Sequence, residues 1–246
     1  MQKDGSPLRH ISYKVADDVI RSAFGQWMHA DCGKGTHPSF QMWDLGAPYG
    51  GIICEEPEFN STRPNANVWL FRDRDWPYEG ESSTLALTST IFEKNSGELL
   101  DADVEVNSFA VALTTTSLSE DVKKDLASIV THEAGHFLGL GHSQVPQATM
   151  FAQYSAGDLN YRSLHPDDEA AICAVYPPVR DTPMCVGPSP PHGFSRYCGG
   201  GEDDGTASVR GCSLGVSRGS LSALGGLLVA AAFGAMRLRR VRSGRR

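Results

Sequence analysis

The chain has 246 residues, 40% of them hydrophobic, and a formal net charge of -7. This length and composition are typical of a globular protein with one or two domains. The negative charge argues against a general nucleic-acid binder, which needs a basic face to neutralise phosphates. We therefore expect protein or peptide partners and no nucleic acid.

The first part of the chain alternates between strand-like and helix-like patterns. Alternation of apolar and polar residues predicts a strand at Ile11–Val15. A helix is predicted to start near Asp17, with an apolar stripe at helical spacing that must pack on a sheet. Short segments rich in β-formers predict two further strands at Ser39–Trp43 and Asn67–Phe71.

Two strands are predicted next, Thr84–Thr90 and its antiparallel neighbour Leu99–Asn107. The second strand carries three alternating acids, Asp101, Asp103 and Glu105, which lie on one face of the strand. They could bind calcium, although alternating acids on a strand more commonly form a solvated face.

Two helices are predicted in the second half. Ser117 to Glu120 has the form of a capping box, so a helix is expected from about Leu118 to Leu138. A closing helix is expected in His165–Tyr176, where Pro166 suits the first helical position.

The longer of these helices carries residues that suit a catalytic zinc ion. His132 and His136 are four residues apart and share one helix face, beside Glu133. Gly139 permits the sharp turn that would bring His142 to the same ion as the third ligand. A fourth position stays open for a water molecule, whose pKa zinc would lower and whose proton Glu133 would accept.

This pattern resembles the metzincin signature H-E-x-x-H-x-x-G-x-x-H, and His136 to Ser143 is most similar to the matrixin branch, the matrix metalloproteinase-like enzymes. Met150 stands where metzincins have a methionine turn. The family's Met-Tyr-Pro is here Met150-Phe151-Ala152, which leaves the shape of the substrate pocket open. In matrixins the loop corresponding to Ala152–Leu164 shapes the pocket for the side chain after the scissile bond.

The resemblance, which covers roughly Ile11 to Tyr176, also implies the fold and the position of the substrate. The fold expected is an α/β (α+β) metzincin-like catalytic domain with a twisted, mostly parallel sheet, an antiparallel strand at the cleft edge, two main helices and a C-terminal helix. The backbone of Leu85, Ala86 and Leu87 would bind an extended peptide along the cleft.

We predict three regions in the chain. Residues 1–178 form the peptidase domain, and residues 179–211 form a linker rich in Pro, Gly and Ser. Residues 212–246 contain Cys212, an uncharged apolar run from Leu221 to Met236, and an arginine cluster. This tail resembles the C-terminal sorting signal of myxobacterial surface proteins. An ordinary membrane anchor with its arginines in the cytoplasm is the alternative.

The six cysteines contain no C-x-x-C pair and favour an exported, disulfide-bonded protein on the cell surface or secreted. Cys32 and Cys54 could form a bridge, whereas the pairing of Cys173, Cys185 and Cys198 stays open. No signal peptide is seen at the N-terminus. No cysteine switch of the kind that keeps many matrixins latent is expected within these residues.

The sequence therefore predicts a monomeric zinc-dependent endopeptidase that hydrolyses peptide bonds in extracellular proteins, using a zinc-bound water activated by Glu133. The alternative from a different class is a cell-surface binding or adhesion module with a non-catalytic zinc site. That alternative gives Glu133 no role and lacks an evident fourth protein ligand.

Overall fold

A computed structural model describes residues 1–81, 83–116, 121–179 and 192–198, together with the backbone of residues 225–229. Its main sheet consists of β1 (Trp69–Phe71), β2 (Ala86–Phe92), β3 (Leu99–Val106) and β6 (Gly225–Val229). The strand order is β1-β3-β2-β6, in which β1 is parallel to β3 and both other pairings are antiparallel. A small parallel pair consists of β4 (Leu113–Thr114) and β5 (Lys124–Asp125).

The first helix, α1, spans Tyr13–Met28 and begins earlier than predicted. The Ser12 side chain accepts a hydrogen bond from the backbone N–H of Val15 and so caps the helix. The strand predicted at Ile11–Val15 is therefore wrong, because this cap makes the segment the start of the helix. The predicted apolar stripe is confirmed, and its buried residues are Ala16, Ile20, Ala23, Phe24 and Trp27.

The strand predicted at Ser39–Trp43 is also wrong, since this segment has no regular secondary structure. Phe40 and Met42 nevertheless pack against the core, and the backbone N–H of Ser39 donates to the carbonyl of Tyr176. The side chains of this segment are thus alternately packed and exposed, as in a strand, but the segment does not pair with another strand in the described structure.

Helix α2 spans Leu126–Phe137 and packs on α1 and on the sheet. It starts later than the predicted Leu118, because the Asp125 side chain caps it by accepting from the N–H of Ser128. The predicted capping box at residues 117–120 lies outside the described residues. Helix α3 spans Pro166–Val175, which confirms the closing helix.

Two disulfides join distant parts of the chain. Cys32–Cys173 ties the end of α1 to α3, and Cys54–Cys198 ties residues 192–198 to the loop before β1. The suggested Cys32–Cys54 bridge is therefore wrong, because each of these cysteines has a partner more than 140 residues away. Phe194, inside the predicted linker, packs into a small cluster with Ile52, Val68 and Leu70.

The fold is a mixed α/β architecture with an antiparallel strand beyond β3, as predicted. β6 lies inside the predicted apolar run of residues 221–236 and pairs with Thr88–Phe92 of β2. Cys212 and the arginine cluster lie outside the described residues. Among the helices in the described part of the chain, none is long and apolar enough to cross a membrane.

Candidate active site

Three histidines converge at the C-terminal end of α2. His132 and His136 are one helical turn apart, and Gly139, with φ +89°, reverses the chain so that His142 returns to them. Their potential ligand atoms lie within 4.8 Å of one another, and the Nε2 atoms of His136 and His142 are 3.1 Å apart. Among the described residues this is the group of side chains able to hold a metal ion.

Backbone carbonyls fix the tautomers of the two helical histidines. The Nδ1 atom of His132 lies 2.6 Å from the carbonyl oxygen of Thr149, and Nδ1 of His136 lies 2.8 Å from that of Leu140. Because a carbonyl oxygen only accepts, Nδ1 must be the protonated nitrogen in both rings. This leaves Nε2 as the nitrogen suited to a metal. A carbonyl that accepts from the other ring nitrogen is a usual partner of a metal-binding histidine.

Burial keeps the histidines in their neutral, metal-binding form. It lowers the pKa of His132 well below the ordinary value, lowers that of His136 to about 4, and lowers that of His142. A zinc ion with Zn–N bonds of about 2.0–2.1 Å in tetrahedral geometry requires ligand nitrogens roughly 3.3 Å apart. The donor set, the tautomers and the 3.1 Å separation of His136 from His142 therefore fit zinc, with one position left open.

Glu133 lies beside this cluster and is fully buried. One carboxylate oxygen, Oε2, accepts a 2.5 Å hydrogen bond from the Thr88 hydroxyl, whereas the buried Oε1 has no hydrogen-bond partner in the described part of the chain. Burial raises the pKa of Glu133 to about 7, and the Thr88 hydrogen bond partly opposes this rise. A carboxylate with such a pKa is suited to accept and return a proton near neutral pH.

Met150, the residue predicted to form a methionine turn, lies close to the helix that carries His132 and His136. It is 2% exposed and packs against Gly135, where an added Cβ would lie 2.3 Å from the Met150 sulfur. Its carbonyl accepts from the N–H of Ser143, directly after the third histidine. Met150 therefore contacts both the helix and the segment after His142, and its role as a methionine turn stays a prediction.

Known proteins are similar to this chain in the region that contains the histidine cluster. Residues 65–177 match the family described as Matrixin. The chain is similar to the matrixins. Human neutrophil collagenase (Homo sapiens) is 28% identical over 178 residues, which are 70% of this chain and 34% of the collagenase. Metalloendoproteinase 5-MMP of Arabidopsis thaliana is 37% identical over 101 residues, and Matrix metalloproteinase-19 of Mus musculus is 49% identical over 61 residues.

These alignments cover 41% and 23% of this chain, and 27% and 11% of the respective relatives. The chain thus spans about a third or less of the length of these relatives. Together with the histidine cluster, the similarities support the matrixin branch of the metzincins and, at the level of the family, a zinc metalloendopeptidase.

Asp168 of α3 is a residue of the matrixin-like site that the sequence reading missed. It is 1% exposed, and its carboxylate accepts from the backbone N–H groups of Thr149 at 2.7 Å, Met150 at 3.0 Å and His165 at 2.9 Å. Because the Thr149 carbonyl lies against Nδ1 of His132, Asp168 helps to orient this candidate metal ligand. In the sequence it was only one of the acids in the first turn of a helix.

The three residues predicted to bind substrate, Leu85, Ala86 and Leu87, lie at and just before the start of β2. Their side chains are at most 3% exposed, so only their backbone could contact a peptide. The carbonyl of Leu85 accepts from the N–H of Asn107. The pairing of β6 with β2 begins one residue further along, at Thr88. Substrate binding by this segment stays a prediction.

The loop expected to shape the substrate pocket is tied to the start of α2. Arg162 donates from Nε and from its guanidinium to the Asp125 carboxylate at 2.8 and 2.6 Å, and also to the carbonyl of Thr116. The carboxylate that caps α2 therefore also holds the loop. The specificity of the pocket stays a prediction.

The three acids of β3 are at most 4% exposed, so the solvated face considered for them is wrong. The loop before β1 covers them, because the N–H groups of Glu58 and Val68 donate to Asp103 at 2.9 and 2.8 Å. Glu105 pairs with Arg72 and accepts from Tyr78, so within the described structure it does not join Asp101 and Asp103 in one ligand set. Calcium binding stays a prediction.

Proposed function

We propose that this chain is a zinc-dependent endopeptidase of the matrixin branch, acting as a monomer on extracellular proteins or peptides. The observation that carries the proposal is a fully buried carboxylate, Glu133, next to three neutral histidines, with one oxygen that has no partner among the described residues. A purely structural metal site gives no reason to bury such a group, because an isolated buried carboxylate is costly. General base catalysis does give a reason for a buried carboxylate at this position.

The residues of the site have distinct tasks in this proposal. His132, His136 and His142 would hold zinc, which lowers the pKa of a water molecule and polarises a peptide carbonyl when bound. Glu133 would accept the proton of the attacking water at Oε1 and deliver it to the leaving amine. The raised pKa of Glu133, about 7, allows both transfers near neutral pH.

The substrate would lie extended along the N-terminal end of β2. Main-chain hydrogen bonds from Leu85, Ala86 and Leu87 would hold the peptide as an added strand. The position is suitable because Thr88, the next residue, contacts Glu133. A peptide aligned on this strand would therefore bring its carbonyl close to the base.

The test is turnover of a generic protein substrate by the wild type and by Glu133→Ala, with zinc content measured in both. Removal of a general base typically costs about 10²- to 10⁴-fold in rate, so activity should fall by this amount while zinc stays bound. Glu98→Ala, which removes an exposed carboxylate, is the control and should keep full activity. Equal rates for the wild type and Glu133→Ala would refute the assignment of the base.

A second experiment, chelation followed by addition of zinc, separates the peptidase from a surface binding module. After chelation and addition of zinc, a peptidase regains turnover. A module with a non-catalytic metal instead shows metal-dependent binding of a partner without cleavage of any substrate.

We further propose that the protein is exported and attached to the cell surface through its C-terminal segment. The two disulfides support an oxidising compartment. The order of Cys212, apolar run and arginine cluster supports a sorting tail, and one acyl chain alone gives only marginal membrane attachment.

A further inference from the structure

One side chain of the sheet contacts Glu133, the proposed base of the candidate site. Thr88, in β2, has no exposed surface, and its hydroxyl donates to Oε2 of Glu133 across 2.5 Å. The two residues are 45 positions apart in the sequence. The contact therefore depends on how β2 lies over α2.

This hydrogen bond makes the surroundings of the two carboxylate oxygens of Glu133 different. Oε2 accepts from the hydroxyl, whereas Oε1 is also buried and has no hydrogen-bond partner among the residues that the structure describes. A glutamate side chain has several rotatable bonds, and a charge-assisted hydrogen bond is the strong kind that fixes one rotamer. Within the described structure, Oε1 is thus the oxygen available to a water molecule.

We propose that Thr88 is a positioning residue for Glu133, which holds Oε2 so that Oε1 points at the attacking water. This inference rests on the proposed function, because it assigns the water-facing oxygen of the proposed base. Thr88 itself does not touch the reacting atoms. It acts through the orientation of the carboxylate.

Thr88 also connects the base to the strand on which the substrate would lie. Leu85, Ala86 and Leu87 directly precede it in the chain, so one segment carries both the predicted peptide-binding backbone and the hydroxyl that holds Glu133. Because reaction rates are sensitive to small displacements of a catalytic group, a shared element keeps the base in register with the bound peptide.

A purely structural role for Thr88 predicts different behaviour. If the hydroxyl only satisfied its own buried polar group, valine would fit the same space with the same preference for a strand, and turnover would be retained by every molecule that folds. If the hydroxyl positions Glu133, valine leaves Oε2 without its donor and the carboxylate free to rotate.

The experiment compares Thr88→Val with Thr88→Ser, measuring kcat, KM and zinc content of the zinc-loaded protein. Thr88→Val should lower kcat by roughly 10- to 100-fold with little change in KM, in line with the loss of a positioning contact. Thr88→Ser keeps the hydroxyl and should restore kcat to within about threefold of the wild type. Thr90→Val changes the buried threonine two residues along the same face and should leave kcat unchanged.

Crystal structures of Thr88→Val and the wild type supply a readout that does not depend on activity, namely the orientation of the Glu133 carboxylate. It should differ in Thr88→Val and be preserved in Thr88→Ser. If Thr88→Val does not fold, Thr88→Ala is a second variant without the hydroxyl. An unchanged carboxylate, a full kcat in Thr88→Val, or an equal loss of kcat in Thr88→Ser would overturn the inference.

The proposed function and this inference fail in different ways. Full activity of Glu133→Ala would remove the base and with it the proposed function. An inactive Glu133→Ala together with a fully active Thr88→Val would leave the peptidase intact and refute only the positioning role.

Discussion

Replacing Gly135 by alanine should destabilise the protein, although alanine is normally preferred in the interior of a helix. A Cβ atom at Gly135 would lie 2.3 Å from the sulfur of Met150 and 2.7 Å from Cζ2 of Trp27. Both neighbours are almost completely buried, at 2% and 0% exposed. The substitution therefore has to move one of two packed side chains.

Neither neighbour moves without disturbing other contacts. The indole N–H of Trp27 donates to the carbonyl of Thr131 at 2.8 Å, and the backbone N–H of Met150 donates to Asp168. Overpacking of a core costs about 1–3 kcal/mol. The helix propensity of alanine offsets about 1 kcal/mol of this cost relative to glycine, so the expected net loss of stability is up to about 2 kcal/mol.

The matched control is Gly25→Ala in α1, a helical glycine at which a Cβ would meet no atom within 4 Å. The free energy of unfolding of this variant should rise by about 0.4–1 kcal/mol, because alanine reduces the conformational freedom of the unfolded chain. The same substitution should thus destabilise the protein at Gly135 and stabilise it at Gly25. Unfolding temperatures of the metal-free proteins should differ by several degrees, because 1 kcal/mol shifts Tm by about 2–4 °C at this chain length.

Zinc affinity is the second readout, because a displaced Met150 also displaces the adjacent Thr149 carbonyl that orients His132. Gly135→Ala should bind zinc more weakly, and Gly25→Ala should bind it like the wild type. Equal stability of the two variants would show that Met150 and Trp27 relax freely, and would refute the argument from close packing.

Two further predictions concern the acids of β3 and the tail. Burial, followed by its neighbour Asp103, raises the pKa of Asp101 to about 9 from the 3.8 of a free aspartate. Between these two pKa values the folded protein therefore holds a proton that the unfolded chain releases. The free energy of unfolding falls as the pH rises through this range, by at most about 1.4 kcal/mol per pH unit for each such proton. Chemical denaturation at pH 6 to 9 should show a shallower fall for Asp101→Asn, and equal slopes would contradict this. For the tail, Cys212→Ala should release the protein from the cell surface if the sorting interpretation is correct, whereas normal retention and an intact Arg246 by mass analysis would favour an ordinary anchor.

The sequence predicted the parts of the site that local spacing determines. His132, Glu133 and His136 share a helix face, and Gly139 allows the turn to His142, so their convergence follows from helix geometry. β2, β3 and α3 were also predicted close to their observed bounds, because their patterns are regular and strongly apolar or well capped.

The errors arose where a side chain decides between two local structures. Ser12 and Asp125 each cap a helix, which moved the start of α1 to Tyr13 and the start of α2 to Leu126. The disulfides could not be assigned, because their partners are 141 and 144 residues apart and no local pattern records such a contact.

Contacts of this long-range kind also orient the candidate catalytic motif. Thr88 comes from β2 of the sheet and donates to Glu133, while Asp168 comes from α3 and accepts from the segment whose carbonyl orients His132. A motif of histidines and glutamate fixes which atoms can reach a metal, but it does not fix which carboxylate oxygen faces a water molecule. That choice depends on a hydroxyl from another element, so two chains with the same motif can differ in catalytic rate while binding zinc equally well.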